Sequence, residues 1–84
     1  MNMRDEIESR LVAAFQPREI EVVDDSNSHV GHAGHDGKGE SHFNVYIRAD
    51  SFNGKSRVAQ HRAIHAALGD VMGRIHALAL DVAG

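Results

Sequence analysis

The sequence has no cysteine and no tryptophan, a single proline, and only three phenylalanines and one tyrosine. Without cysteine the chain can form no disulfide, present no thiolate nucleophile and offer no thiolate to a metal. The few aromatics leave a thin core, so modest stability is expected. Basic residues are not in excess either: nine Lys and Arg stand against twelve Asp and Glu, a net charge of −3 with histidines neutral. That balance argues against a protein whose main task is a non-specific grip on nucleic acid. No apolar run approaches the roughly 18 residues of a membrane span. The opening MNMRDEIES carries charge where a secretory leader needs apolar residues. A cytoplasmic protein without membrane contact is the expectation. Catalytic signals are missing too, with no Ser-His-Asp set in context and no carboxylate pair isolated in an apolar stretch. The chain reads as a non-enzyme.

What the sequence does have is histidine, seven in 84 residues, three of them within seven positions. A chain this short supports one domain, residues 1–84. Met3, Ile7, Leu11, Ala14 and Phe15 recur at helical spacing, and Pro17 predicts a stop just after Gln16. Residues 20–23 are a short β-prone run, bounded by Asp24, Asp25 and Ser26, which read as turn residues. Residues 27–40 turn to Gly, His, Ser, Asn and Asp, the composition of a long loop. Residues 41–48 alternate: Phe43, Val45 and Ile47 face one way, His42, Asn44, Tyr46 and Arg48 the other.

A turn at Ser51-Phe-Asn-Gly-Lys55 leads into a second helical stretch. There Ile64, Leu68, Val71, Met72 and Ile75 share one arc. Gly69 and Gly73 weaken that stretch, leaving one long helix or two short ones open. Residues 76–82 alternate again, with Leu78, Leu80 and Val82 on one face. The order α-β-β-α(α)-β predicts an α+β fold: two layers, a three-stranded mixed sheet with helices on one face. A helical crossover between the second and third strands normally joins parallel neighbours. Parallel pairing would bring His76 to the sheet end where the loop with His29, His32 and His35 ends.

Several residues carry a resemblance when taken in order. They are Asp25-Ser26, His29-Val-Gly-His32, Ser41-His-Phe43, Phe52-Asn-Gly-Lys-Ser56, His61-Arg62 and Ile75-His-Ala-Leu78. The ordered set, covering nearly the whole chain, resembles the BolA-like family. One departure is Gln60-His61-Arg62, where the family pattern reads Arg-His-Arg. The loss of that positive charge weakens a nucleic-acid reading more than a cluster reading. The resemblance implies a fold similar to class II KH domains. It also implies a monothiol glutaredoxin partner and a bridging [2Fe-2S] cluster, one iron of which is held by the partner's cysteine and glutathione. On this resemblance His76 matches one ligand to the other iron, and the loop supplies a second. His32 is the first choice there, with His29 and His35 behind it.

Neutral imidazole suits iron and zinc, and the Gly-rich run His-x-x-His-x-x-His could wrap a metal or remain a solvated loop. Zinc, nickel or copper could bind such a tract adventitiously. His61 falls within the second helical arc, where a hydrogen-bonded residue at a core margin is the simpler reading. His65 lies at the edge of that arc, and His42 on the outer, solvated face of its strand. Gly54-Lys-Ser56 lacks the first glycine of a Walker loop. Lys55, Arg57, His61 and Arg62 form a small basic surface, a solvated face or a contact for nucleic acid, glutathione or an acidic partner.

Two functions follow as expectations. The first is an adaptor to a monothiol glutaredoxin, supplying histidine to a shared cluster that the isolated chain does not hold. The alternative is a nucleic-acid-binding transcriptional regulator using the KH-like surface, with DNA as partner. The free chain is expected to be a monomer or a weak homodimer.

Overall fold

In the computed structural model, residues 2–25 and 42–84 are described. Helix α1 spans Met3–Phe15. The Asn2 side chain accepts from Asp5 N at 2.8 Å, satisfying one of the first-turn amides. Its end is set by Gln16, which takes the left-handed conformation at φ 48° and donates its N–H to Val12 O, one residue before Pro17. The helix buries Ile7 and Leu11, four apart on one face.

Strand β1 is Glu19–Asp24, β2 is His42–Arg48 and β3 is Ala77–Ala83. The sheet order is β1-β2-β3, with β1 antiparallel to β2 and β2 parallel to β3. The expected three-stranded mixed sheet is therefore present. Partners Val22↔Val45 and Phe43↔Leu78 place these side chains on the helix-covered face. Val23↔Asn44 and Glu21↔Tyr46 face away.

Between β2 and β3 come a 3-10 turn at Asp50–Phe52, helix α2 at Arg57–Leu68 and a second 3-10 turn at Gly69–Gly73. Ser56 caps α2 by accepting from Ala59 N at 3.1 Å. Gly69 ends it at φ 54°, a backbone that L side chains rarely adopt. The second helical stretch is thus divided at Gly69, and Val71 and Met72 reach the core from a 3-10 turn. Ile7, Leu11, Phe43, Val45, Ile47, Phe52, Ile64, Leu68 and Val71 are all at most 2% exposed and form one core between the sheet and the helices. The Phe15 ring packs on Phe52 with centroids 4.7 Å apart. Ala14 proves exposed, so the buried stripe of α1 is narrower than its spacing suggests.

Candidate functional site

The parallel register pairs His42 with Ala77, which brings the residue before Ala77 to the start of β2. His76 is that residue. Its ring centroid lies 5.0 Å from that of His42, with the planes tilted by 45°. Counting back along β3 from Leu78 would put His76 on the buried face. The strand instead begins at Ala77, His76 sits in the bend before it, and the residue is exposed. His42 is half-buried rather than fully solvated. At this same end Asp25 N donates to His42 O at 2.8 Å, extending the β1–β2 ladder by one bond.

Residues 26–41 connect to this sheet end, and the candidate ligands His29, His32 and His35 lie outside the described residues. Among the described residues, no group of three or more His, Cys, Asp and Glu is placed to hold a metal ion. What the geometry offers there is two imidazoles, from His42 and His76. The parallel crossover brings the start of β3 to the start of β2, where His42 stands, but alternation counted within each strand sends the two side chains to opposite faces, so the sequence does not pair them.

The basic surface occupies a different place. It begins where β2 ends, since Lys55 follows the Asp50–Phe52 turn, whereas His76 lies where the parallel strand begins. Lys55, Arg57 and Arg62 are exposed and form no ion pair with another described residue. The contrast with other arginines is sharp. Arg4, Arg10, Arg18, Arg48 and Arg74 each pair with a carboxylate at 2.6–3.2 Å.

Val58, 59% exposed, lies one turn before Arg62, and His65 is exposed one turn beyond. His61 is half-buried, as a core-margin residue would be. Gln60, the departure from the family pattern, donates from Nε2 to Phe52 O and Lys55 O, both at 3.3 Å. It thereby ties down the turn that presents Lys55.

On the uncovered sheet face a shallow groove of about 270 Å³ lies over Glu21, Asn44, Tyr46, Ala79 and Asp81. Two of these residues also hold Arg48, whose guanidinium lies 4.1 Å from the Tyr46 ring centre and 2.9 Å from Asp81 Oδ1.

The described residues thus form a small α+β domain with two imidazoles at one sheet end and an exposed cationic helix start towards the other. The chain belongs to the BolA-like protein family, whose match covers residues 11–83. It is 43% identical to the DNA-binding transcriptional regulator BolA of Escherichia coli, over 95% of this chain and 73% of that protein. SufE-like protein 1 of Arabidopsis thaliana is 41% identical over 95% of this chain, which spans only 22% of that larger protein. Among solved structures, the BolA domain of Arabidopsis SufE1 is similar with a TM-score of 0.85 and 37% identity, covering 98% of this chain and 91% of that one. Arabidopsis BolA1 also gives a TM-score of 0.85, at 32% identity and with 98% and 90% coverage.

Proposed function

We propose that this protein is a BolA-like adaptor that binds a monothiol glutaredoxin and presents His76 to one iron of a bridging [2Fe-2S] cluster. The observation that carries this reading is the imidazole of His76, exposed among the described residues at a sheet end and beside a second imidazole. The donor chemistry fits: neutral imidazole is a competent iron ligand, and the chain has no thiolate with which to build a cluster alone. The partner's cysteine and glutathione supply the thiolates. The cluster, when bound, provides a redox centre and a cargo of iron and sulfide.

The work of this chain is orientation and poise. The parallel β2–β3 pair begins at Ala77 and tethers the backbone immediately after His76, which limits the ordering entropy of ligand placement. Imidazole in place of thiolate lowers the negative charge around an iron and raises its potential, as in Rieske centres. Because imidazole must be unprotonated to bind, such ligation weakens at acid pH. The resulting role is in cluster trafficking or in iron and redox regulation. Co-expression with a monothiol glutaredoxin should yield a coloured heterocomplex whose visible circular dichroism differs from that of the glutaredoxin alone. No complex, or a spectrum equal to that of the glutaredoxin, would overturn the proposal.

A second reading is favoured by one comparison, the 43% identity to a bacterial protein described as a DNA-binding transcriptional regulator. Its surface would be the unpaired cations Lys55, Arg57 and Arg62. Three phosphate contacts would give a log–log salt slope of at most about −3. Binding to duplex DNA with such a slope, lost on charge reversal of Arg57 and Arg62, would support this reading.

A further inference from the structure

We propose that His42 and His76 together form a bidentate imidazole site for one late first-row divalent cation, which this chain binds without a partner protein. The inference stands on the ring geometry. When two imidazole nitrogens sit on one tetrahedral ion at about 2.0–2.1 Å each, their ring centroids are roughly 5 Å apart. The His42 and His76 centroids are 5.0 Å apart, and the rings are tilted by 45° rather than stacked. His42 opens β2 and is registered against Ala77, the first residue of β3, so His76 is anchored one residue from the ladder.

Two imidazoles suit zinc, nickel or copper(II), ions whose affinity for nitrogen ligands is high. No third His, Cys, Asp or Glu completes the set among the described residues, so the pair is a two-point anchor whose remaining positions take water or a further ligand. It is independent of the glutaredoxin reading: the cation is bound by the isolated chain, and the pair includes His42, to which the family resemblance assigns no role.

The test must separate this pair from the other histidines. In the full chain carrying His29→Asn, His32→Asn and His35→Asn, titration with Zn²⁺ alone should show one ion bound per chain by calorimetry. Long-range proton–nitrogen spectra should show ring nitrogens of both His42 and His76 shifting together to metal-bound values. Adding His42→Ala or His76→Ala should weaken Zn²⁺ binding by at least about tenfold, as expected for loss of a direct ligand. His65→Ala, which breaks the i,i+4 pair of His61 and His65 on α2, should leave binding unchanged. The proposal is overturned if the triple variant binds no Zn²⁺ at millimolar concentration. It is equally overturned if only His65→Ala abolishes binding, or if the His42 and His76 nitrogens do not shift. The spectra decide the matter in the triple variant itself, so a folding defect in His42→Ala cannot obscure the outcome.

Discussion

Arg74 donates to Glu6 Oε2 at 2.6 Å across 68 positions of sequence, tying the first turn and a half of α1 to the segment just before β3. Glu6 also accepts from Arg10, whose Nη1 reaches Leu68 O and Asp70, and Asp70 in turn pairs with Arg74. Four charged side chains thus bracket the end of α2. The hydrogen bond from Arg74, with Arg10 adding to it, holds the Glu6 carboxyl below the ordinary glutamate range despite the opposing effect of burial.

That depressed pKa has a pH signature. A carboxyl more acidic in the folded than in the unfolded state contributes stability above its unfolded value, and the contribution is lost as pH falls through the folded value. The thermal midpoint should therefore drop on acidification below the usual glutamate range, and drop less steeply in Glu6→Gln. Added salt should reduce the difference between the two proteins at neutral pH, because the network is at the surface. Melting curves across pH and salt check both points.

Phe52 is fully buried in the short turn between β2 and α2, and Phe15 packs on it. Phe52→Ala should cost about 3–5 kcal/mol, the range for removing a buried aromatic ring. A domain of this size has roughly 5–10 kcal/mol in total, so much of the variant should be unfolded at 37 °C. Urea denaturation followed by far-ultraviolet circular dichroism would measure the loss.

Lys55 and Arg57 lie on the exposed side of the α2 start and pair with no described carboxylate. Lys55→Ala and Arg57→Ala should each change stability by no more than about 0.5 kcal/mol. Their effect should appear instead in binding, to glutaredoxin or to DNA, whichever partner uses this surface. A collapse of the thermal transition in either variant would show that the patch supports the fold.

His76→Ala should leave the fold nearly intact, with a cost of at most about 1 kcal/mol, because the residue is exposed and precedes the strand. Burial in β3 is carried by Leu78, Leu80 and Val82. In the glutaredoxin complex the same substitution should remove the histidine-type signature from the electron paramagnetic resonance of the reduced cluster and from visible circular dichroism. Spectra and cluster content identical to the wild type would sink the ligand assignment.

Local patterns in the chain determine most of its elements. Alternation at 43, 45 and 47 marks a half-buried strand, Pro17 marks the end of α1, and helical crossover sterics predict a parallel β2–β3 pair, whereas Gly69 and Gly73 leave the division of the second helical stretch open. The absence of cysteine likewise settles, from sequence alone, that this chain offers no thiolate to a metal. The meeting of His42 with His76 was decided only by tertiary structure. Side-chain alternation is a property of one strand, and counted within each strand it sent His42 outward and His76 inward. Which residues touch across strands depends on register and on where a strand begins, and both are set by long-range packing. Here the burial of Phe43 against Leu78 fixes that register, and with it the partner of His42. The same holds for charge: nine cations look alike in the sequence, and only the folded chain shows that five arginines are engaged while Lys55, Arg57 and Arg62 face outward unpaired among the described residues.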